Sequence, residues 1–77
     1  LKEHKLVEMI TEKGYGSIEE FSRACGIVPQ QFFPYIRDQY KPSIPTMFKI
    51  ATTLGCHIDD ILRIYYPEQM KNLVVDN

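Results

Sequence analysis

Adjacent carboxylates at Glu19–Glu20 and Asp59–Asp60, thiols at Cys25 and Cys56, and imidazoles at His4 and His57 stand out in this 77-residue sequence. They are the groupings that could carry acid–base, nucleophilic or metal chemistry. A structural duty accounts better for each. Paired acids suit the first turn of a helix, where free N–H groups and the helix dipole favour negative charge. Both pairs stand in such a place, just after Ser17-Ile18 and His57-Ile58. The cysteines lack the CxxC spacing of a redox or zinc site, and neither histidine is placed to complete one. Small apolar thiols belong in a core, so both are expected to be buried. There is no glycine-rich phosphate loop, and His57 has no Ser, Cys or Asp partner pattern. These residues predict no enzyme, no metal site and no cofactor.

The elements that must hold any binding surface come from apolar spacing. Apolar residues recur at helical intervals between Gly and Pro punctuation, and strict alternation is missing over any useful length. Five helices follow. The first spans roughly residues 2–13, with Leu6, Met9, Ile10 and Leu1 facing inward, and ends at Gly14 to Gly16. The second opens on Ser17-Ile18-Glu19-Glu20, a capping box in which Ser17 serves the Glu20 amide and Glu20 reaches back. Ile18, Phe21 and Cys25 share its inner face, with Ala24 at the flank and Gly26 closing it. The third starts after Ile27, with Pro29 in a first turn that needs no donor there; Phe32, Tyr35 and Ile36 form its apolar side. Ser43 caps the fourth, whose Met47, Ile50, Ala51 and Leu54 sit at i, i+3, i+4 and i+7. A fifth covers roughly 58–65, with Ile58, Ile61, Leu62 and Tyr65 on one side, and Pro67 stops it.

Composition narrows the function. Nine basic residues against ten acidic ones give a net charge of −1, with 44% hydrophobic and 25% charged residues. That excludes binding to nucleic acid by bulk charge alone, and it excludes an acidic disordered tail. No apolar run exceeds three residues, so neither a membrane span nor a signal-peptide core is expected. Two cysteines cannot build a secreted multi-bridge framework, which points to a reducing, cytoplasmic compartment. The first residue is Leu1, not Met, so residues upstream are to be expected. A chain this short buries a limited core and needs a staple, a partner or very regular helix packing.

Residues 17–37 read helix, Gly-containing turn, helix. Gly26 folds the turn back, Ile27 plugs the core and Phe32 anchors the second helix of the pair. The wider run is more specific. Ser17-Ile-Glu-Glu-Phe, Cys25-Gly26-Ile27, Lys41-Pro42-Ser43 and Lys49-Ile50-Ala51 through Leu54-Gly55 to Ile58-Asp59-Asp60-Ile61-Leu62 resemble the phage-repressor and Cro-like helix-turn-helix family. Bacterial regulators of the xenobiotic-response-element type belong to it. The resemblance covers about residues 5–62. It implies an all-α, compact five-helix, lambda-repressor-like DNA-binding domain that grips operator DNA, commonly as a dimer, with the third helix as reader.

On that resemblance, Val28, Pro29, Gln30, Gln31 and Phe33 face base edges. A glutamine amide pairs bidentately with adenine, and Phe33 either touches a thymine methyl or packs inward beside Phe32. Arg37, Tyr40 and Lys41 lie where the family contacts phosphates. The start of the fourth helix, Ser43 to Thr46, adds backbone donors. Three departures stand out. Ile18 replaces a glutamine that grips the backbone, Val28 and Pro29 replace polar residues, and Pro34 sits inside the reading helix. Pro34 costs roughly 3 kcal/mol and predicts a helix kinked near Phe33 or begun differently. Charge divides in keeping with the resemblance. From Phe21 to Cys56, Arg23, Arg37, Lys41 and Lys49 stand against Asp38 alone, a net of +3, which leaves −4 on the rest.

The expectation is a cytoplasmic, nucleoid-associated repressor of bacterial or phage origin that binds a palindromic site in double-stranded DNA as a homodimer. No membrane partner and no small-molecule ligand are expected. Residues 1–66 form the helix-turn-helix domain, and residues 67–77 form a tail that is a dimer seam or folds back over its own first and fifth helices. The alternative is a protein-interaction module of the same fold with its DNA-reading surface lost or reassigned, favoured by the apolar Ile18, Val28, Pro29, Phe33 and Pro34.

Overall fold

Helix boundaries in this chain are set by a few capping side chains and by residues that accept a left-handed backbone. The computed structural model describes residues 3–73, excluding the Leu73 side chain. Leu1, the Leu73 side chain, Val74 and Val75, expected to face inward or to form the tail seam, lie outside the described residues.

Helix α1 (Lys5–Lys13) starts later than expected because His4 caps it: its Nδ1 accepts from the Leu6 N–H at 3.1 Å. Helix α2 (Ile18–Cys25) is capped by Ser17 Oγ, which accepts from the Glu20 N–H at 3.0 Å. Glu20 reaches back one residue further than a standard capping box, to the Gly16 N–H at 3.2 Å. Gly26 then takes φ +78°, the left-handed conformation that turns α2 into α3 (Pro29–Ile36). Helices α4 (Ile44–Leu54) and α5 (Ile58–Tyr65) fall where the apolar stripes put them.

The expected count of five is one short, since a sixth helix, α6, covers Pro67–Leu73. Pro67 ends α5 and also begins α6, because its missing N–H costs nothing at a helix start. Tyr66, at φ −134° and ψ 57°, is the non-helical joint between them. The described residues contain no strand, so the domain is all-α.

Pro34 does not break α3, which runs through Phe33 and Pro34 to Ile36. The proline removes one donor, the one that would have served the Gln30 carbonyl. Burial of Phe32 and Tyr35 on either side offsets that loss. Past Arg37, Asp38 stands at φ +59°, a left-handed place that usually takes glycine, and the Gln39 N–H closes back on the Pro34 carbonyl at 2.9 Å.

Every apolar residue expected to face inward within this range is buried or half-buried. Helix α1 packs on α2, α4 and α5, α2 packs on α3 and α4, and α4 packs on α5. Phe21 and Phe32 meet edge to face with ring centres 5.7 Å apart at the centre of this core, and Tyr15 and Tyr35 extend the chain of rings. Cys25 is buried, whereas Cys56 is only half-buried against the core.

Two polar links tie distant segments. Nε2 of His4 meets Asp38 Oδ1 at 3.1 Å, joining the start of α1 to the end of α3. Since Nδ1 accepts from Leu6, the ring proton sits on Nε2 and the imidazole donates to Asp38. The buried Tyr65 hydroxyl donates to the Tyr35 carbonyl at 3.0 Å. Burial above all, then the nearby Asp38 carboxylate and Tyr35, pushes the Tyr65 phenol well above the ordinary tyrosine range. A group raised by folding contributes its stability below the unfolded-state value of ~10 and loses it as pH climbs toward the folded value. Unfolding midpoints in urea should therefore fall above pH ~10, and Tyr65→Phe should flatten that fall after an initial cost of about 1 kcal/mol. Equal alkaline slopes in the two proteins would show that Tyr65 is not the cause.

Candidate nucleic-acid interface

The hinge between α2 and α3 is held by a residue that the apolar pattern did not pick out. Ser22 is fully buried, its hydroxyl donates to the Ile27 carbonyl, and its own carbonyl accepts from the Ile27 N–H at 2.9 Å. Both bonds lock Ile27 and so set where α3 begins. A serine five residues before the turn's apolar plug was the available signal.

From that start α3 projects an exposed edge. Gln30 and Gln31 are exposed, Pro29 and Phe33 are half-buried, and Val28 is 58% exposed. Beyond α3, Tyr40, Lys41 and Ser43 are exposed and Thr46 is half-buried. A surface cleft of about 500 Å³ brings these two stretches together. It is lined by Gln30, Gln31, Pro34, Tyr35, Tyr40, Lys41, Ser43 and Thr46. Two proposed base readers and four proposed phosphate contacts thus share one concavity between α3 and the start of α4. Val28, Pro29, Phe33 and Arg37 do not line it.

Phe33 neither inserts beside Phe32 nor stands free. The Arg37 guanidinium lies over its ring, 5.2 Å from the centroid, one helical turn on. The start of α4 also supplies fewer donors than expected. Pro45 has no N–H, Ser43 Oγ accepts from the Thr46 N–H at 3.4 Å, and the two hydroxyl oxygens lie 3.0 Å apart. The backbone donors at this end are those of Ser43 and Ile44. Ile18 is half-buried against the core.

Among the described residues the charged pairs are Lys5–Glu8 and Arg63–Asp60, with His4 donating to Asp38, and Arg23, Arg37, Lys41 and Lys49 have no described carboxylate at pairing distance. The groupings that might have carried catalysis are otherwise engaged. Burial raises the Cys25 thiol; burial, and then the Asp60 charge, raise that of Cys56, so neither is readied as a thiolate. Asp60 accepts from the His57 N–H at 3.3 Å. Among the described residues no three His, Cys, Asp or Glu side chains converge as metal ligands. Among the described residues no helix is long and apolar enough to cross a membrane.

A family model for the Cro/C1-type helix-turn-helix DNA-binding domain matches residues 5–67. The chain belongs to that family. No curated protein and no solved structure matched it. As a Cro/C1-type domain it is a DNA-binding domain of the transcription-regulator class. The matched span covers α1 to α5 and stops at the first residue of α6. The Cro/C1-type unit therefore contains the hinge, the exposed edge of α3 and the whole cleft, and most of α6 lies beyond it.

Proposed function

We propose that this chain is a repressor-type regulator that reads a palindromic site in double-stranded DNA as a homodimer, with α3 in the major groove. The observation that carries the reading is the convergence of Gln30 and Gln31 with Tyr40, Lys41, Ser43 and Thr46 on one cleft. Each glutamine carries an acceptor and two donors, the set that pairs bidentately with adenine. Val28 and Pro29 offer apolar contact to thymine methyls. Lys41 and Arg37, with Tyr40 and the Ser43 and Ile44 N–H groups, hold the phosphates that set register. Phe33 acts through Arg37 and not on a base. Residues 1–66 form the DNA-binding unit, with its helix-turn-helix at 17–37, and residues 67–77 supply the seam between copies. Among the described side chains of α6, Met70 is half-buried and the others are exposed. The setting is the nucleoid in the cytoplasm of a bacterial or phage-infected cell.

The test is binding to mixed genomic duplex fragments across a salt series, followed by selection of the bound sequences. Affinity should fall steeply with salt, and the selected site should be a palindrome whose halves are spaced one helical turn, ~34–36 Å, apart. Undetectable binding at low salt would sink this reading. A protein-interaction module is the second reading. It is favoured by the exposed Val28, Ile44 (49%) and Phe48 (53%), an apolar exposure unusual beside a DNA-reading edge.

A further inference from the structure

We infer that Tyr66 is a positioning residue for DNA binding, holding the Lys41 ammonium at the rim of the α3–α4 cleft. The inference rests on the DNA-binding reading above. Lys41 is exposed and follows the exposed Tyr40, and its Nζ lies 5.0 Å from the centroid of the Tyr66 ring. Tyr66 belongs to the α5–α6 joint, 25 positions along the chain, and its ring is half-buried against the core.

That ring is a fixed platform. The Tyr66 N–H donates to the Leu62 carbonyl at 2.7 Å, its carbonyl accepts from the Met70 N–H at 3.0 Å, and Pro67 restricts it from the far side. Pro42, buried directly after Lys41, anchors the other end of the contact. A free lysine gives up much rotamer freedom when it binds a phosphate. Held over the ring, Lys41 has given up part of it already, so less is lost on binding.

The chemistry of the partner matters as well. A carboxylate beside Lys41 would cancel the charge that a phosphate needs. A ring face attracts the ammonium through its quadrupole and leaves the full positive charge in place. Arg37 over Phe33 repeats the arrangement within α3. In a chain with a net charge of −1, orienting the few cations on this side substitutes for having more of them.

The test is a double-mutant cycle on the whole chain, using mixed-sequence duplex DNA at low salt and then across a salt series. Tyr66→Leu should weaken binding about 2- to 5-fold, and Tyr66→Phe should leave it near wild type. In a Lys41→Ala background, Tyr66→Leu should cost nothing more. Equal losses in both backgrounds, or no loss in either, would overturn the inference while leaving DNA binding intact. A wild-type chain that binds no duplex would overturn both. Proton NMR of the wild type provides a readout that needs no variant to fold. The Lys41 ε-methylene protons should be shifted upfield by the Tyr66 ring, and unshifted protons would overturn the contact.

Discussion

Phe32→Ala should unfold most of this domain at physiological temperature. Phe32 is fully buried and lies edge to face with Phe21 at 5.7 Å and with Tyr35 at 5.9 Å. Truncating a buried phenylalanine costs ~3–5 kcal/mol, because the lost transfer energy adds to that of the cavity left behind. A single small domain holds only ~5–15 kcal/mol in total, and a chain of this length belongs near the lower end. The melting temperature should fall by about 20 °C or more. Phe32→Leu, which keeps most of the volume, should cost well under half as much. Thermal melts followed by circular dichroism check both. A Phe32→Ala melt within a few degrees of wild type would mean that α3 is not anchored as described. The same residue matters for the proposed DNA contact, since Phe32, together with the buried Tyr35, seats α3 in the core.

Gln31→Ala and Lys41→Ala should fail in different ways. Gln31 is uncharged and is proposed to face a base edge, so its loss should cost ~1–3 kcal/mol at one base pair of the selected site and little on unrelated sequence. The selected site should lose its preference at that position. Lys41→Ala should weaken all sequences about equally and lower the salt slope by about 1. Binding-site selection on the wild type and Gln31→Ala, with salt titrations of Lys41→Ala, separates the two. If both variants bind like wild type, the cleft between α3 and α4 is not where DNA sits.

The interior was legible in the sequence because helical spacing and caps were both explicit. Met47, Ile50, Ala51 and Leu54 could only make one buried stripe, and Ser17, Gly26, Ser43 and Gly55 marked its boundaries and those of its neighbours. What stayed hidden involved polar atoms reaching across the chain. Ser22 on Ile27, His4 on Asp38 and Tyr65 on Tyr35 leave no periodic trace, since each depends on how helices already packed bring two atoms together. Pro34 lies inside α3 without ending it, although the propensity rule treats all interior positions alike. Here the deprived carbonyl is Gln30's, in the first turn, and the flanking aromatic residues hold the helix. The candidate surface was legible only through the family resemblance. The family resemblance pointed to Gln30, Gln31 and Lys41, but Arg37 over Phe33 and Lys41 over Tyr66 are geometric facts. Nothing in the spacing singled out Tyr66.

The position of α1 has a consequence for how the chain comes off the ribosome. Leu6 and Ile10 are buried by α2, α4 and α5 together, and α5 is completed only at Tyr65. At ~5–20 residues per second, roughly 3–10 s of synthesis separate the two. Through that interval the first helix waits with its apolar face uncovered, while α2 and α3 can already pair. Helix α1 is thus made well before the last of the helices that cover it, and it needs shelter for those seconds if neighbouring nascent chains are not to find it first.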